Sequence, residues 1–245
     1  MFIVNKLKPE SAKKAPYDPV GYEYYDPRKH PTCDVFGKAS AALIEQALQR
    51  FDFRSDSALC DLGAGRSVLG SYALLHRPAF GSMDIVDQSE TMLAWSGDCC
   101  PESAEFYLLD AEQLPALGRK FDLVIASLAD PFNTATLWRA MEESLAAGGQ
   151  CLFTTPSFRW ATSFRDCRAD ELQDAALFEL SSGARHYVPS YVYCEDEQFD
   201  LVAQSGLKVV ETRHATRAAL SSCPPKVSHL MPDAPVVTLF RIMKA

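Results

Sequence analysis

Short apolar runs, most ending on an acid, serine or proline, recur along the chain and alternate with stretches of helical spacing. Ala58–Leu62, Met83–Asp87, Phe106–Asp110, Phe121–Ser127 and Gln150–Pro156 have the length and apolar content of buried strands. Val35, Phe36, Ala39, Leu43, Ile44, Ala47, Leu48 and Phe51 fall three and four residues apart and predict an amphipathic helix of about four turns. Further helices are predicted over Val68–Leu75, over Glu90–Trp95 behind a Ser89 cap, and through Leu137, Met141 and Leu145 to a stop at Gly148-Gly149. After a helix with an acidic start at Glu195-Asp196-Glu197, Leu207–Thr212 reads as a sixth strand. Pro235–Ile242 reads as a seventh, antiparallel at the sheet edge. Strands alternating with helices predict an α/β domain with a doubly wound, seven-stranded, mostly parallel sheet over residues 34–245.

Two segments depart from this rhythm. Residues 1–33 form an N-terminal arm in which Pro9, Pro16, Pro19, Pro27 and Pro31 prevent a long helix. Tyr17, Tyr22, Tyr24 and Tyr25 give this arm apolar rings with polar tips, suited to packing over a ligand or over the domain edge. Residues 157–193 form a helical and aromatic cap insertion after the fifth strand, with a helix through Phe158, Trp160, Phe164 and Leu172 leading to His186–Tyr193. It lies on the side where such sheets bind ligands.

Composition narrows the classes. A net charge of -8 argues against broad contact with nucleic acid or an anionic membrane, without excluding a small basic patch. No run reaches the ~20 apolar residues that span a bilayer. The first residues are too short and too soon charged for a signal peptide. The eight cysteines lack zinc-ligand spacing and read as free thiols of a reducing, cytoplasmic setting, so no metal site is expected.

The chemistry concentrates at strand ends. Asp61-Leu62-Gly63-Ala64-Gly65 joins the first strand to a helix through a turn that only glycine lets a ligand approach closely. Asp87 ends the second strand and Asp110 the third, so all three acids are expected along one crevice. A dinucleotide turn wants a third glycine where Val68 stands, and Asp61 would repel a pyrophosphate. An acid there suits a cationic ligand instead.

These residues resemble the class I S-adenosylmethionine-dependent methyltransferases, whose Rossmann-like fold the predicted element order matches. Asp61-Leu62-Gly63-Ala64-Gly65 looks like the family's first motif, Asp87-Gln88 its second-strand acid and adenine neighbour, and Asp110-Ala111 the start of its third-strand motif. The resemblance implies S-adenosylmethionine (SAM) as cofactor, bound by Asp61, Gly63, Ala64, Gly65, Asp87, Gln88, Asp110, Ala111 and the backbone of Ser127. Ser67 stands where the family often has a third glycine.

The acceptor side is expected from the arm, the insertion and the loop after the fourth strand. His186 and Tyr187 are the candidate catalytic residues, with His30 and His214 as second choices and His76 read as structural on the core side. Tyr22, Tyr25, Asp130, Trp160 and Tyr191 are candidate substrate contacts. Asp130-Pro131 also reads as a plain turn. The resulting expectation is methyl transfer to a small, partly apolar or aromatic molecule. A nucleic-acid or protein methyltransferase using the basic arm (Lys6, Lys8, Lys13, Lys14, Arg28, Lys29) and a partner subunit, or a non-catalytic cofactor-binding protein, are the alternatives.

Overall fold

The computed structural model describes residues 4–6, 15–165 and 172–245. Lys8, Lys13 and Lys14 of the basic arm, and Cys167, lie outside them. Seven strands form the central sheet: β2 (Ala58–Leu62), β3 (Ser82–Asp87), β4 (Glu105–Leu108), β5 (Phe121–Ala126), β6 (Leu145–Pro156), β9 (Leu207–Thr216) and β10 (Pro235–Lys244). A short strand from the arm, β1 (Val4–Lys6), adds to one edge, giving the order β1-β4-β3-β2-β5-β6-β10-β9. Pairing is parallel from β1 through β6. β10 is antiparallel to both β6 and β9.

The last strand therefore corrects one expectation. β10 is antiparallel as predicted, but it inserts between β6 and β9 and leaves β9 at the edge. Its burial agrees, since Val236, Val237, Leu239, Phe240 and Ile242 are all covered. A second correction concerns the helix expected to run to Gly148-Gly149. α4 (Ala135–Ser144) stops earlier, and Leu145 already begins β6 with Gly148 at φ 76°. A third concerns the insertion. Its helix α5 covers Phe158–Arg165, and Leu172 forms only a bridge to Ala175 before a hairpin of β7 (Ala175–Glu179) and β8 (Arg185–Pro189).

Helices cover both faces of the sheet. α1 (Pro31–Leu48), α2 (Val68–His76) and α5 bury one face through Phe36, Ile44, Leu69, Leu123, Ile125 and Leu239. α4 and α6 (Glu195–Ala203) bury the other through Val124, Trp138, Met141, Phe153, Val202 and Phe240. Alternate residues of β5 and β10 serve opposite faces, as the period of two along a strand requires. The short helix α3 (Glu90–Ala94) follows β3, with Ser89 Oγ accepting from the Met92 amide at 3.2 Å.

A third, separate core joins the arm to the insertion. Val20 packs with Phe178 and Val188 of the hairpin, surrounded by Tyr17, Tyr24 and Cys33. The arm between Ala15 and His30 turns through backbone bonds such as Gly21 N to Tyr17 O at 2.8 Å and Tyr24 N to Val20 O at 2.9 Å. Glu23 fastens it to the hairpin, accepting from Ser181 N at 3.0 Å and Ser181 Oγ at 2.6 Å.

Candidate functional site

A cavity of about 360 Å³ opens at the carboxyl ends of β2, β3 and β5, where the strand order reverses. Its floor is the turn Gly63–Ser67. Gly63 and Gly65 hold φ of 63° and 48°, which side chains rarely adopt. Space requires glycine too: a Cβ on Gly63 would stand 2.4 Å from the Phe132 ring, and one on Gly65 2.3 Å from the Tyr25 hydroxyl.

Two acids secure this turn. Asp61 Oδ2 accepts from Ser67 Oγ at 2.6 Å and from the Leu69 amide at 3.0 Å, while Ser67 Oγ accepts from Gly70 N at 2.8 Å. Ser67 is thus the N-cap of α2, which explains a serine where the family often has glycine. Asp61 lies beneath the turn, fully buried, and does not line the cavity as expected. Its Oδ1 is buried without a hydrogen-bond partner. Burial pushes its carboxyl up to about 7, against the bonds from Ser67 and Leu69. Asp87 does line the cavity, and its two oxygens accept from the Gly65 and Ser89 amides at 2.9 and 2.8 Å. Burial pushes it up to about 6.

The other expected cofactor residues divide. Gly63, Ala64, Gly65, Gln88, Ala111 and Ser127 line the cavity. Asp110 does not: it is exposed and accepts from Glu112 N at 3.0 Å, capping the 3-10 turn Ala111–Leu117. Beside Ser127, Leu128 holds φ 49°, a strained value for a leucine. Its amide donates to Thr154 Oγ1 at 2.8 Å, and Ser40 Oγ joins Thr154 and Ser127 at 2.7 Å each.

The arm and α1 supply the remaining walls. Tyr17, Tyr24 and Tyr25 form the roof, and Tyr25 OH accepts from the Arg66 amide at 2.7 Å. The Arg66 guanidinium lies over the Tyr25 ring at 4.6 Å and over Trp95 at 5.1 Å. Burial raises the hydroxyls of all three roof tyrosines above their ordinary range, so they stay neutral. Cys33, Gly37 and Ala41 line one side at four-residue spacing along α1, small residues that leave room beside Phe132 and Leu128.

Most expected acceptor residues sit elsewhere. His186 Nε2 bonds the Pro16 carbonyl at 2.7 Å, tying the hairpin to the arm, and Tyr187 is 40% exposed outside the cavity. Tyr22 is exposed away from the cavity. Trp160 is core, stacked on Phe164 and edge-on to Phe36. Asp130 is buried behind the wall, accepting from Ser190 Oγ at 2.5 Å, which in turn accepts from Arg165 Nη2 at 2.6 Å. Tyr191 donates its amide to the Asp130 carbonyl at 2.8 Å without reaching the cavity. Only Tyr25 of the five expected substrate contacts is a lining residue.

The three other histidines weighed above are structural or remote. His30 is buried against Phe178, 3.8 Å from Glu23. His76 is exposed beside Tyr72, not turned to the core as expected. His214 lies between Thr238 Oγ1 at 3.1 Å and Glu195 at 3.2 Å, on a separate cavity of about 210 Å³.

The lining residues that sequence reasoning missed include Phe132, Leu128, Arg66, Met92 and the small face of α1. A signal existed for α1 alone, in the spacing of Cys33, Gly37 and Ala41. Among the described residues no three His, Cys, Asp or Glu side chains gather as a metal site, and no helix is long and apolar enough to cross a membrane.

No protein-family model matches the chain, and no curated protein matches it. Solved structures do. An S-adenosylmethionine-dependent methyltransferase from Clostridium acetobutylicum superposes with a TM-score of 0.62 at 15% identity, over 94% of this chain and 99% of that one. A complex of DhpI with SAM and HEP gives 0.60 at 15% identity, over 93% and 94%. The CcbJ methyltransferase from Streptomyces caelestis gives 0.60 at 13% identity, over 94% and 96%. The chain therefore has the Rossmann-like fold of class I S-adenosylmethionine-dependent methyltransferases along nearly its whole length.

Proposed function

We propose that the protein transfers a methyl group from SAM to a small, partly apolar or aromatic molecule. One observation carries this reading: a roofed cavity of about 360 Å³ whose floor is a two-glycine turn, with the Asp87 carboxylate on its wall. The same fold holds SAM in DhpI. The residues fit such a ligand. Each Asp87 oxygen already accepts one amide, and a carboxylate oxygen has a further lone pair with which to take a ribose hydroxyl. Asp61, beneath the turn with one unpartnered oxygen, favours a cation above it.

When bound, SAM supplies a methyl group already activated on a sulfonium. The protein's part is then orientation and exclusion of water. Tyr17, Tyr24 and Tyr25 cover the cavity, while Leu128 and Ser127 are held in one geometry by Thr154 and Ser40. A cavity walled by the arm tyrosines suits a small acceptor better than a polymer, as does the chain's net charge of -8. The aromatic roof and Phe132 supply an apolar surface for it.

Titration calorimetry with SAM and with its demethylated product tests the cofactor. Incubation of cell-extract metabolites with methyl-labelled SAM, followed by mass spectrometry, tests the acceptor. Label entering RNA or protein while small molecules remain unlabelled would overturn the small-molecule reading.

A further inference from the structure

The cavity has two unlike ends, set by the strand order β3-β2-β5. At the β3 end stand Asp87 and Gln88. The roof there is Tyr25, whose hydroxyl is taken by the Arg66 amide and whose ring packs on Trp95 at 5.4 Å. At the β5 end stand Leu128 and Phe132, with Cys33, Tyr17 and Tyr24 completing the wall. The Tyr17 and Tyr24 rings meet at 5.6 Å and 80°, and both pack on Phe178 of the hairpin. The chain just after the hairpin is tied to the loop after β5, since the Tyr191 amide donates to the Asp130 carbonyl at 2.8 Å. Among the described residues the Tyr17 hydroxyl has no hydrogen-bond partner, so it is available to a ligand.

The chemistry of the β5 end is neutral. Its polar groups are two phenols and a thiol, and burial keeps all three protonated, with Cys33 pushed up to about 12. The charged lining residues are engaged or distant. Asp34 Oδ2 is held by Lys38 Nζ at 2.8 Å, and Arg66 lies over Tyr25 and Trp95. Glu45 stands more than three turns along α1 from Cys33, about 18 Å at 1.5 Å per residue. Asp130 is behind the wall, bound by Ser190. Among the described residues no histidine lines the cavity.

We propose that the acceptor is a primary or secondary amine, held uncharged at the β5 end by the Tyr17 hydroxyl and methylated on nitrogen without a base from the protein. With the cofactor's ribose on Asp87, this end is what remains for an acceptor. A hydroxyl or thiol acceptor needs a base, and none is placed there. An acceptor that arrives ionised, as phenolate, thiolate or carboxylate, would be buried without a counter-charge. An amine needs neither. Its lone pair forms the C–N bond while the S–CH3 bond breaks, the electron pair of that bond remaining on sulfur. Positive charge passes from sulfur to nitrogen, and the ammonium gives its proton to water on leaving. The Tyr17 oxygen accepts one N–H and leaves the lone pair to face the methyl carbon. The rings of Tyr17, Tyr24 and Phe132 offer π faces to the cation that forms.

This inference rests on the SAM reading, and failure of the protein to bind SAM in calorimetry would overturn that reading instead. Extract metabolites labelled from methyl-labelled SAM are fragmented to find the methylated atom. An N-methyl group is expected, and an O-, S- or C-methyl group would overturn the proposal. The amine so found is then titrated into protein saturated with the demethylated cofactor. Tyr17→Phe keeps the ring on Phe178, so SAM affinity and Tm should hold. Amine affinity should fall, and its KM rise, about fivefold, the equivalent of one neutral hydrogen bond. Asp34→Asn should change kcat less than tenfold. Across a series of substituted amines, the midpoint of the pH profile of kcat/KM should move with the amine's own pKa. Unchanged amine affinity in Tyr17→Phe, or an equal loss of SAM affinity, would overturn the proposal. So would a loss of about a hundredfold or more in kcat for Asp34→Asn, the signature of a base, or a midpoint that stays fixed whatever the amine.

Discussion

Replacing Asp61 by asparagine should make the free protein more stable and a poorer binder. Asp61 is fully buried, and burial lifts its carboxyl from the ordinary 3.8 to about 7. An acid with a raised folded-state value gives its full stability below the unfolded value. That stability is then lost as pH rises towards the folded one. At about 1.4 kcal/mol per unit, the loss between pH 4 and pH 7 amounts to roughly 4 kcal/mol. Asparagine is the same shape. Its oxygen can still accept from Ser67 and Leu69, with its nitrogen where Oδ1 now lies unpartnered. Burying that amino group without acceptors costs about 1–3 kcal/mol. The net gain for Asp61→Asn is then roughly 1–3 kcal/mol at pH 8, shrinking by roughly 2–3 kcal/mol at pH 5, where the wild-type acid is protonated. Urea unfolding at both pH values measures this, and calorimetry should show weaker SAM binding. A variant less stable than wild type at pH 8, or a difference independent of pH, would refute the reasoning.

Other outcomes follow from the same geometry. Asp87→Ala should weaken SAM binding by about 1.5–3 kcal/mol in calorimetry, the range for bonds to a charged group. Gly63→Ala should destabilise the protein by at least about 1–2 kcal/mol through its positive φ, and should displace Phe132, which a Cβ would meet at 2.4 Å; thermal unfolding with SAM titration checks both. Glu23, held down to about 2 by the hydrogen bond from Lys29 and then by Ser181, contributes stability above 4.5 that is lost as pH falls through about 2. Glu23→Gln should therefore speed hydrogen exchange across residues 175–189 at neutral pH while leaving β2 and β5 protected.

The sheet was legible because its strands are continuous apolar runs with ends marked by Asp61, Asp87 and a glycine turn. Their register follows from burial on both faces. The position of β10 was not legible, because strand order is decided by which neighbours cover Val237 and Phe240, not by local pattern. The hairpin escaped notice since Ala175–Glu179 has little alternation, and its stability comes from Val20 and Tyr17 of the arm. The candidate site divided in the same way. Backbone features of the turn showed in the glycines, whereas side-chain destinations did not. His186 looked available for proton transfer, yet its ring nitrogen is taken by the Pro16 carbonyl. Asp110 looked like a ligand contact, yet it caps the next turn. Leu128 was invisible, because a left-handed leucine is imposed by Thr154 from another strand.

The third core has a consequence for how the chain matures. Its contacts join residues 158 positions apart at Glu23–Ser181 and 170 apart at Pro16–His186, among the longest loops the fold must close. Such contacts form late, after the sheet that brings their ends together. During synthesis Tyr25 can already meet Arg66 and Trp95, whereas Tyr17 and Tyr24 lack their packing partner until Phe178 has emerged. The ligand chamber is therefore completed only once the hairpin has folded onto the arm. It is also the part whose opening, as a small cooperative unit, can occur without unfolding the rest.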